Sequence, residues 1–139
     1  MKKIISFLFI IFILTGCSNN KNNKVNLYLF YSSTCPHCHK EIEWLDTINN
    51  NYKNLNIVKY EASENMDFYE QVIDKMNIND YHVPLTIIGS DYTIGFSDDI
   101  KEEIEGYIKE YSSKSACDVV DSIKNNKNIE SCINKNNKK

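Results

Sequence analysis

The chain has no arginine: besides three histidines, its basic residues are 16 lysines. Bidentate recognition of phosphate or carboxylate by a guanidinium fork is therefore excluded. An apolar run long enough to cross a membrane is also missing. The longest run, Ile4 to Leu14 broken only by Ser6, has eleven residues, and as a helix it would span only about 16 Å, roughly half of a bilayer core. No internal repeat is visible. Positive charge is in deficit: the net charge is −3, and −5 once Lys2 and Lys3 are set apart. That balance favours solubility and argues against nucleic acid as a partner. Proline occurs only twice, at Pro36 and Pro84, and cysteine five times.

The first residues read as a processing signal. Lys2 and Lys3 precede the short apolar stretch, as in a secretory signal peptide. Leu14-Thr15-Gly16-Cys17 then resembles the lipobox of bacterial lipoproteins, which implies cleavage after residue 16 and lipid on the Cys17 sulfur and new N-terminus. The remainder is then expected outside the cytoplasm, tethered to the membrane, and several acyl chains make such a tether stable. The alternative is an uncleaved anchor with Cys17 as an ordinary thiol. Residues 17–24, polar and Asn-rich, read as a flexible linker. About 120 residues follow the signal, enough for one domain with a modest core.

Val25 to Tyr31 is apolar enough for a strand buried on both faces. A helix is expected from about Cys35, with Pro36 at its first position, where a missing N–H costs nothing. Ile42, Leu45 and Ile48 form its apolar stripe with Trp44 beside it, and Asn49-Asn50-Asn51 ends it. Leu55 to Tyr60 reads as a second strand and Met66 to Met76 as an amphipathic helix. Pro84–Ile88 and Tyr92–Phe96, joined by Gly89-Ser90-Asp91, read as an antiparallel hairpin. Ser97-Asp98-Asp99 caps a last helix carrying Ile100, Ile104, Tyr107, Ile108 and Tyr111. This order predicts an α/β fold with a βαβ crossover and a closing hairpin. From Ser112 onward a weak extension is expected, with one short helix over Ala116, Val119, Val120 and Ile123. Cys35, Cys38, Cys117 and Cys132 allow three pairings. Pairing 35–38 with 117–132 is preferred, because a CxxC between strand and helix is self-contained. Cys117–Cys132 would then be a structural staple, or else an accessory redox pair.

The chemistry concentrates in Cys35-Pro36-His37-Cys38, at the handover from the first strand to the first helix. Unpaired N–H groups and the positive end of the helix dipole stabilise a thiolate at Cys35, and His37 can add charge or a hydrogen bond. Cys35 is the expected nucleophile, and Cys38, one turn inward, the resolving thiol. Stabilising the Cys35 thiolate makes the disulfide more oxidising. Phe30 to Cys38, with Val83-Pro84 far downstream before a strand, resembles the thioredoxin superfamily over roughly Lys24 to Tyr111. The resemblance implies a thioredoxin-like domain over 25–111, with a central mixed sheet of about four strands flanked by helices, followed by the extension 112–139. It also implies a cis Val83–Pro84 bond lying against the CxxC, leaving backbone there free to pair with an extended partner peptide. The Pro-His dipeptide is similar to that of DsbA-type oxidants, and the spacing between elements is closer to glutaredoxins. What is implied is a thiol–disulfide oxidoreductase without metal or organic cofactor. Its substrates would be exported cysteine-containing proteins or peptides, and a redox partner would reset it. One departure stands out: where thioredoxins and DsbA-type proteins carry an acidic residue in the strand, six positions before the first cysteine, this chain has Leu29. Glu61 or Glu43 are the candidates to replace it, and His82 is a candidate to face the disulfide.

Other readings compete. Cys35 to His39 also fits C-x-x-C-H, the attachment motif of c-type haem, with His39 as one axial ligand and Met66, Met76 or His82 as the other. A zinc or copper module on Cys35, Cys38, His37 or His39 would lack half of a tetrahedral site. An accessory to bacteriocin export is a further alternative. Trp44 and the tyrosines would line a peptide groove or, as their spacing favours, fill the core.

Overall fold

Consecutive burial of Leu27, Tyr28, Leu29 and Phe30, which occupies both faces, suits the first strand to the centre of the sheet. In the structure, a computed structural model describing residues 23–114 and 117–133, β1 (Val25–Tyr31) lies between β2 (Leu55–Glu61) and β3 (Leu85–Ile88). The signal region, Cys17, most of the linker and Ala116 lie outside the described residues. β4 (Asp91–Ile94) completes the order β2-β1-β3-β4, with β1 parallel to β2 and β3 antiparallel to both β1 and β4. The parallel pair requires a crossover, supplied by α1 (Pro36–Ile48) and a 3-10 turn at Asn49–Asn51. α2 (Met66–Met76) ends at Asn77, whose left-handed conformation lets Ile78 N–H donate to the Ile73 carbonyl, the closure expected of a helix terminating at an αL residue. α3 (Asp98–Ser113) starts on a Ser97 side chain that accepts from Ile100 N–H.

Two apolar layers sandwich the sheet. On one face Val25, Leu27, Leu29 and Ile88 meet Leu45 and Ile48 of α1 and Ile104 and Ile108 of α3. On the other, Phe30 and Ile87 meet Tyr69, Val72 and Ile73 of α2. Burying a side chain such as Leu27 or Phe30 stabilises the fold by about 1.5–3 kcal/mol each. Phe30 also stacks on Tyr60, with ring centroids 5.3 Å apart. Trp44 is half-buried and packs on Phe96, so it belongs to the α1 layer, as its spacing favoured.

The extension departs from expectation. It holds two short helices, α4 (Val119–Lys124) and α5 (Glu130–Ile133), where one was predicted. Nor is it a weak appendix: Val119, Val120 and Ile123 are fully buried in the same layer as α2. Asp118 fastens its start, accepting from Asn26 Nδ2 at 2.6 Å and Tyr28 hydroxyl at 2.9 Å. The Cys117–Cys132 disulfide, with Cα atoms 5.6 Å apart, ties the segment just before α4 to α5 over a separation of 15 residues.

Candidate redox site

Cys35 is the N-cap of α1, and its sulfur accepts the Cys38 N–H at 3.4 Å. Pro36, at the first helical position, has no N–H to orphan there. The loop before the helix is tied on both sides. Cys35 N–H donates to the Ser32 carbonyl at 3.1 Å, and His39 Nε2 lies 2.8 Å from the Ser33 carbonyl. Glu61, at the end of β2, accepts from Ser33 N–H, from the Ser63 hydroxyl and from Glu64 N–H. The Ser63 hydrogen bond first, then those two backbone donors, hold its carboxyl below the usual carboxylate value. Glu61 therefore clamps the loop. Its oxygens are taken up by those donors and Glu43 is exposed, whereas Cys38 is buried, so the structure favours neither sequence candidate as a replacement for the missing acid.

The two sulfurs are free thiols in unlike surroundings: Cys35 is half-buried and Cys38 has no exposure. Burial pushes the Cys35 thiol up. Hydrogen bonds from the Cys38 thiol and from the backbone N–H groups of Cys38 and His37 outweigh it, leaving Cys35 below its ordinary value. Burial, then the hydrogen bond to Cys35, drive Cys38 well above it. His37 thus acts through its backbone, with its ring exposed. The geometry favours ionisation at the accessible sulfur and opposes it at the sealed one, an arrangement suited to a two-step exchange.

Across from Cys35 runs the segment before β3. Val83–Pro84 is cis, and the Cys35 thiol donates to the Val83 carbonyl at 3.8 Å. The Tyr69 hydroxyl holds this segment by donating to the His82 carbonyl at 3.2 Å. The His82 ring is exposed and pairs with Asp80, so it is spent on the surface of the loop. A CxxC at the start of the crossover helix, facing a cis proline that opens an antiparallel hairpin, fixes the architecture. The fold is thioredoxin-like.

Solved structures similar to the chain include mitochondrial thioredoxin 3 of Saccharomyces cerevisiae, at 21% identity and a TM-score of 0.49, over 65% of this chain and 81% of that one. Thioredoxin of Plasmodium falciparum is similar at 18% identity and 0.48, over 66% and 85%. A glutaredoxin of Archaeoglobus fulgidus is similar at 23% and 0.42, over 60% and 86%. Residues 1–18 match the prokaryotic membrane lipoprotein lipid attachment site, which includes Cys17. No curated protein matches the chain in sequence. Among the described residues, no helix is long and apolar enough to cross a membrane.

One functional candidate escaped the sequence reading. Glu41 has no exposure, and the Thr86 hydroxyl donates to its Oε1. Burial pushes its carboxyl from an ordinary 4.5 up to about 7, against the lowering hydrogen bond from Thr86. Thr86 is the cross-strand partner of Leu29. The carboxyl therefore reaches from α1 the part of the sheet where the resemblance implied an acid on β1. A signal for it existed: Cys38, Glu41, Leu45 and Ile48 are spaced i, i+3, i+7 and i+10, and all four are buried.

The competing readings fit this geometry poorly. A haem thioether on Cys38 would need the sealed sulfur to reach outward, and Met76 is buried in the α2 layer while Met66 and His82 are exposed. Among the described residues, no group of three or more His, Cys, Asp or Glu side chains is placed to hold a metal ion.

Proposed function

We propose that the chain is a membrane-tethered thiol–disulfide oxidoreductase. The reading is carried by the half-buried Cys35 at the open end of α1, with Cys38 sealed one turn behind it. Cys35 attacks a partner disulfide as the thiolate, and Cys38 resolves the mixed disulfide; in the opposite direction a partner thiolate attacks the Cys35–Cys38 disulfide. Val83 and Pro84 form the rim where an extended partner segment lies. Pro36 and the His37 backbone tune the nucleophile. Residues 25–111 carry this chemistry, and within the extension 112–139 the described residues 117–133 brace it through Cys117–Cys132. The tether is Cys17, lipidated after loss of residues 1–16, with residues 17–24 as spacer. That placement makes exported proteins or peptides with cysteines the substrates, and a second redox protein the agent that resets the pair.

The test is covalent capture in cells. Cys38→Ser is expected to accumulate mixed disulfides visible on non-reducing gels, and Cys35→Ser to form none. Adducts that persist with Cys35→Ser would refute the assignment. Cells fed a labelled fatty acid should incorporate it into the wild-type protein and not into Cys17→Ser, and an unlabelled wild-type protein would refute the lipid tether.

A further inference from the structure

The contact between α1 and the sheet is apolar except at one point. Leu29, Leu45, Ile104 and Ile108 belong to that layer, and Glu41 is buried on the same stripe of α1 as Leu45. Only one of its oxygens is satisfied: Oε1 accepts from Thr86, while Oε2 is buried without a hydrogen-bond partner. An orphaned carboxyl oxygen forfeits its hydration. Leucine at this position would continue the stripe without that penalty, so packing does not account for the residue.

The neighbourhood does. Cys38 lies three residues before Glu41 on the same helix face, and the carboxylate charge acts on both sulfurs, disfavouring their thiolates. Cys38 is shut off from water and holds its proton tightly. To act as a nucleophile it must hand that proton to a group inside the protein.

We propose that Glu41 is the proton acceptor for Cys38 in the resolving half of the exchange, taking the thiol proton on Oε2. In that step the Cys38 sulfur attacks Cys35, the Cys35–Cys38 bond forms and the bond from Cys35 to the partner breaks. The electron pair leaves on the partner's sulfur as a thiolate, and the Cys38 proton stays on Glu41. The dithiol is oxidised and the partner reduced. When a partner thiolate opens the Cys35–Cys38 disulfide instead, Cys38 departs as a thiolate and recovers the proton from Glu41. The assignment rests on the redox reading above. The titratable groups beside Glu41 are Cys35 and Cys38. Thr86 and, by its register with Thr86, Thr93 bring hydroxyls from β3 and β4, while β1 and α3 contribute Leu29, Ile104 and Ile108.

The full chain, reduced at Cys35–Cys38 and held in detergent, is mixed with oxidised glutathione. Acid-quenched mass spectra then follow the Cys35–glutathione adduct as it forms and as it resolves. In the wild type, resolution should accelerate as pH rises through about 7, where Glu41 loses its own proton. Glu41→Gln should abolish that inflection and slow resolution about a hundredfold at pH 8, the lower end of what a positioned acid–base group supplies. Capture by Cys35 should be no slower, since a neighbouring negative charge has been removed. Thr86→Val removes the bond that favours the carboxylate and should move the inflection to higher pH; it also serves as the test should the Glu41→Gln variant not fold. Wild-type rates and an unmoved inflection in these variants would overturn the role of Glu41 alone. A wild-type protein that forms no adduct at Cys35 would overturn the redox reading with it.

Discussion

Burial of Glu41 makes stability fall with pH, in an amount that can be worked out in advance. Its carboxyl titrates at about 7 when folded and at an ordinary 4.5 when unfolded. Between those values the folded chain binds the extra proton, so stability is fully present below 4.5 and is lost progressively as pH rises to about 7. At about 1.36 kcal/mol per tenfold difference in proton affinity, the loss is roughly 3 kcal/mol. No discount for solvent screening applies, because the side chain has no exposure. The measurement is urea unfolding at pH 5 and pH 8 in a Cys35→Ala, Cys38→Ala background, with and without Glu41→Gln. Other titrating groups cancel in the comparison, and glutamine keeps an oxygen for the Thr86 hydroxyl. The chain that retains Glu41 should lose roughly 3 kcal/mol more than the Glu41→Gln variant between the two pH values. Equal pH dependence in the two would show that the carboxyl is hydrated and that the layer between α1 and the sheet is open at this point.

Iodoacetamide should alkylate Cys35 with a midpoint below the ordinary thiol value and leave Cys38 unmodified in the folded protein, as peptide mapping across pH would reveal; an ordinary midpoint at Cys35 would remove its activation. Replacing Cys117 and Cys132 by Ala should cost about 3 kcal/mol for a closed loop of this length, read from urea midpoints. Because α4 is part of the core, hydrogen exchange should rise in α2 as well as in the extension. Gly89→Ala should destabilise by more than about 1 kcal/mol in the same assay. Gly89 has φ +63°, and an added Cβ would overlap the Tyr111 ring; a neutral result would show that α3 can shift away from β3.

The elements of this chain are written locally. The apolar run in Val25–Tyr31, the spacing in Met66–Met76 and the Ser97 cap are properties of short segments, and they made the strands, helices and hairpin readable with ends displaced by only a few residues. The cysteine pair was readable for the same reason, since a CxxC between strand and helix must place its first sulfur at a helix N-terminus. Three matters depended on contacts far apart in the chain. Glu41 lies between Lys40 and Ile42 and looks like a surface charge, until the crossover lays α1 over Thr86, 45 residues away, and closes off solvent. For His37 the sequence left charge and a hydrogen bond open, and the turn of the helix decides for a hydrogen bond, from its backbone N–H. The extension, polar along much of its length, became core because Asp118 meets Asn26 and Tyr28 from 92 and 90 positions downstream and seats α4 against α2. Local sequence determined which sulfur could become an anion; only the packing of α1 on the sheet decided which carboxyl would lie beside its partner, because burial is a property of the assembled layers.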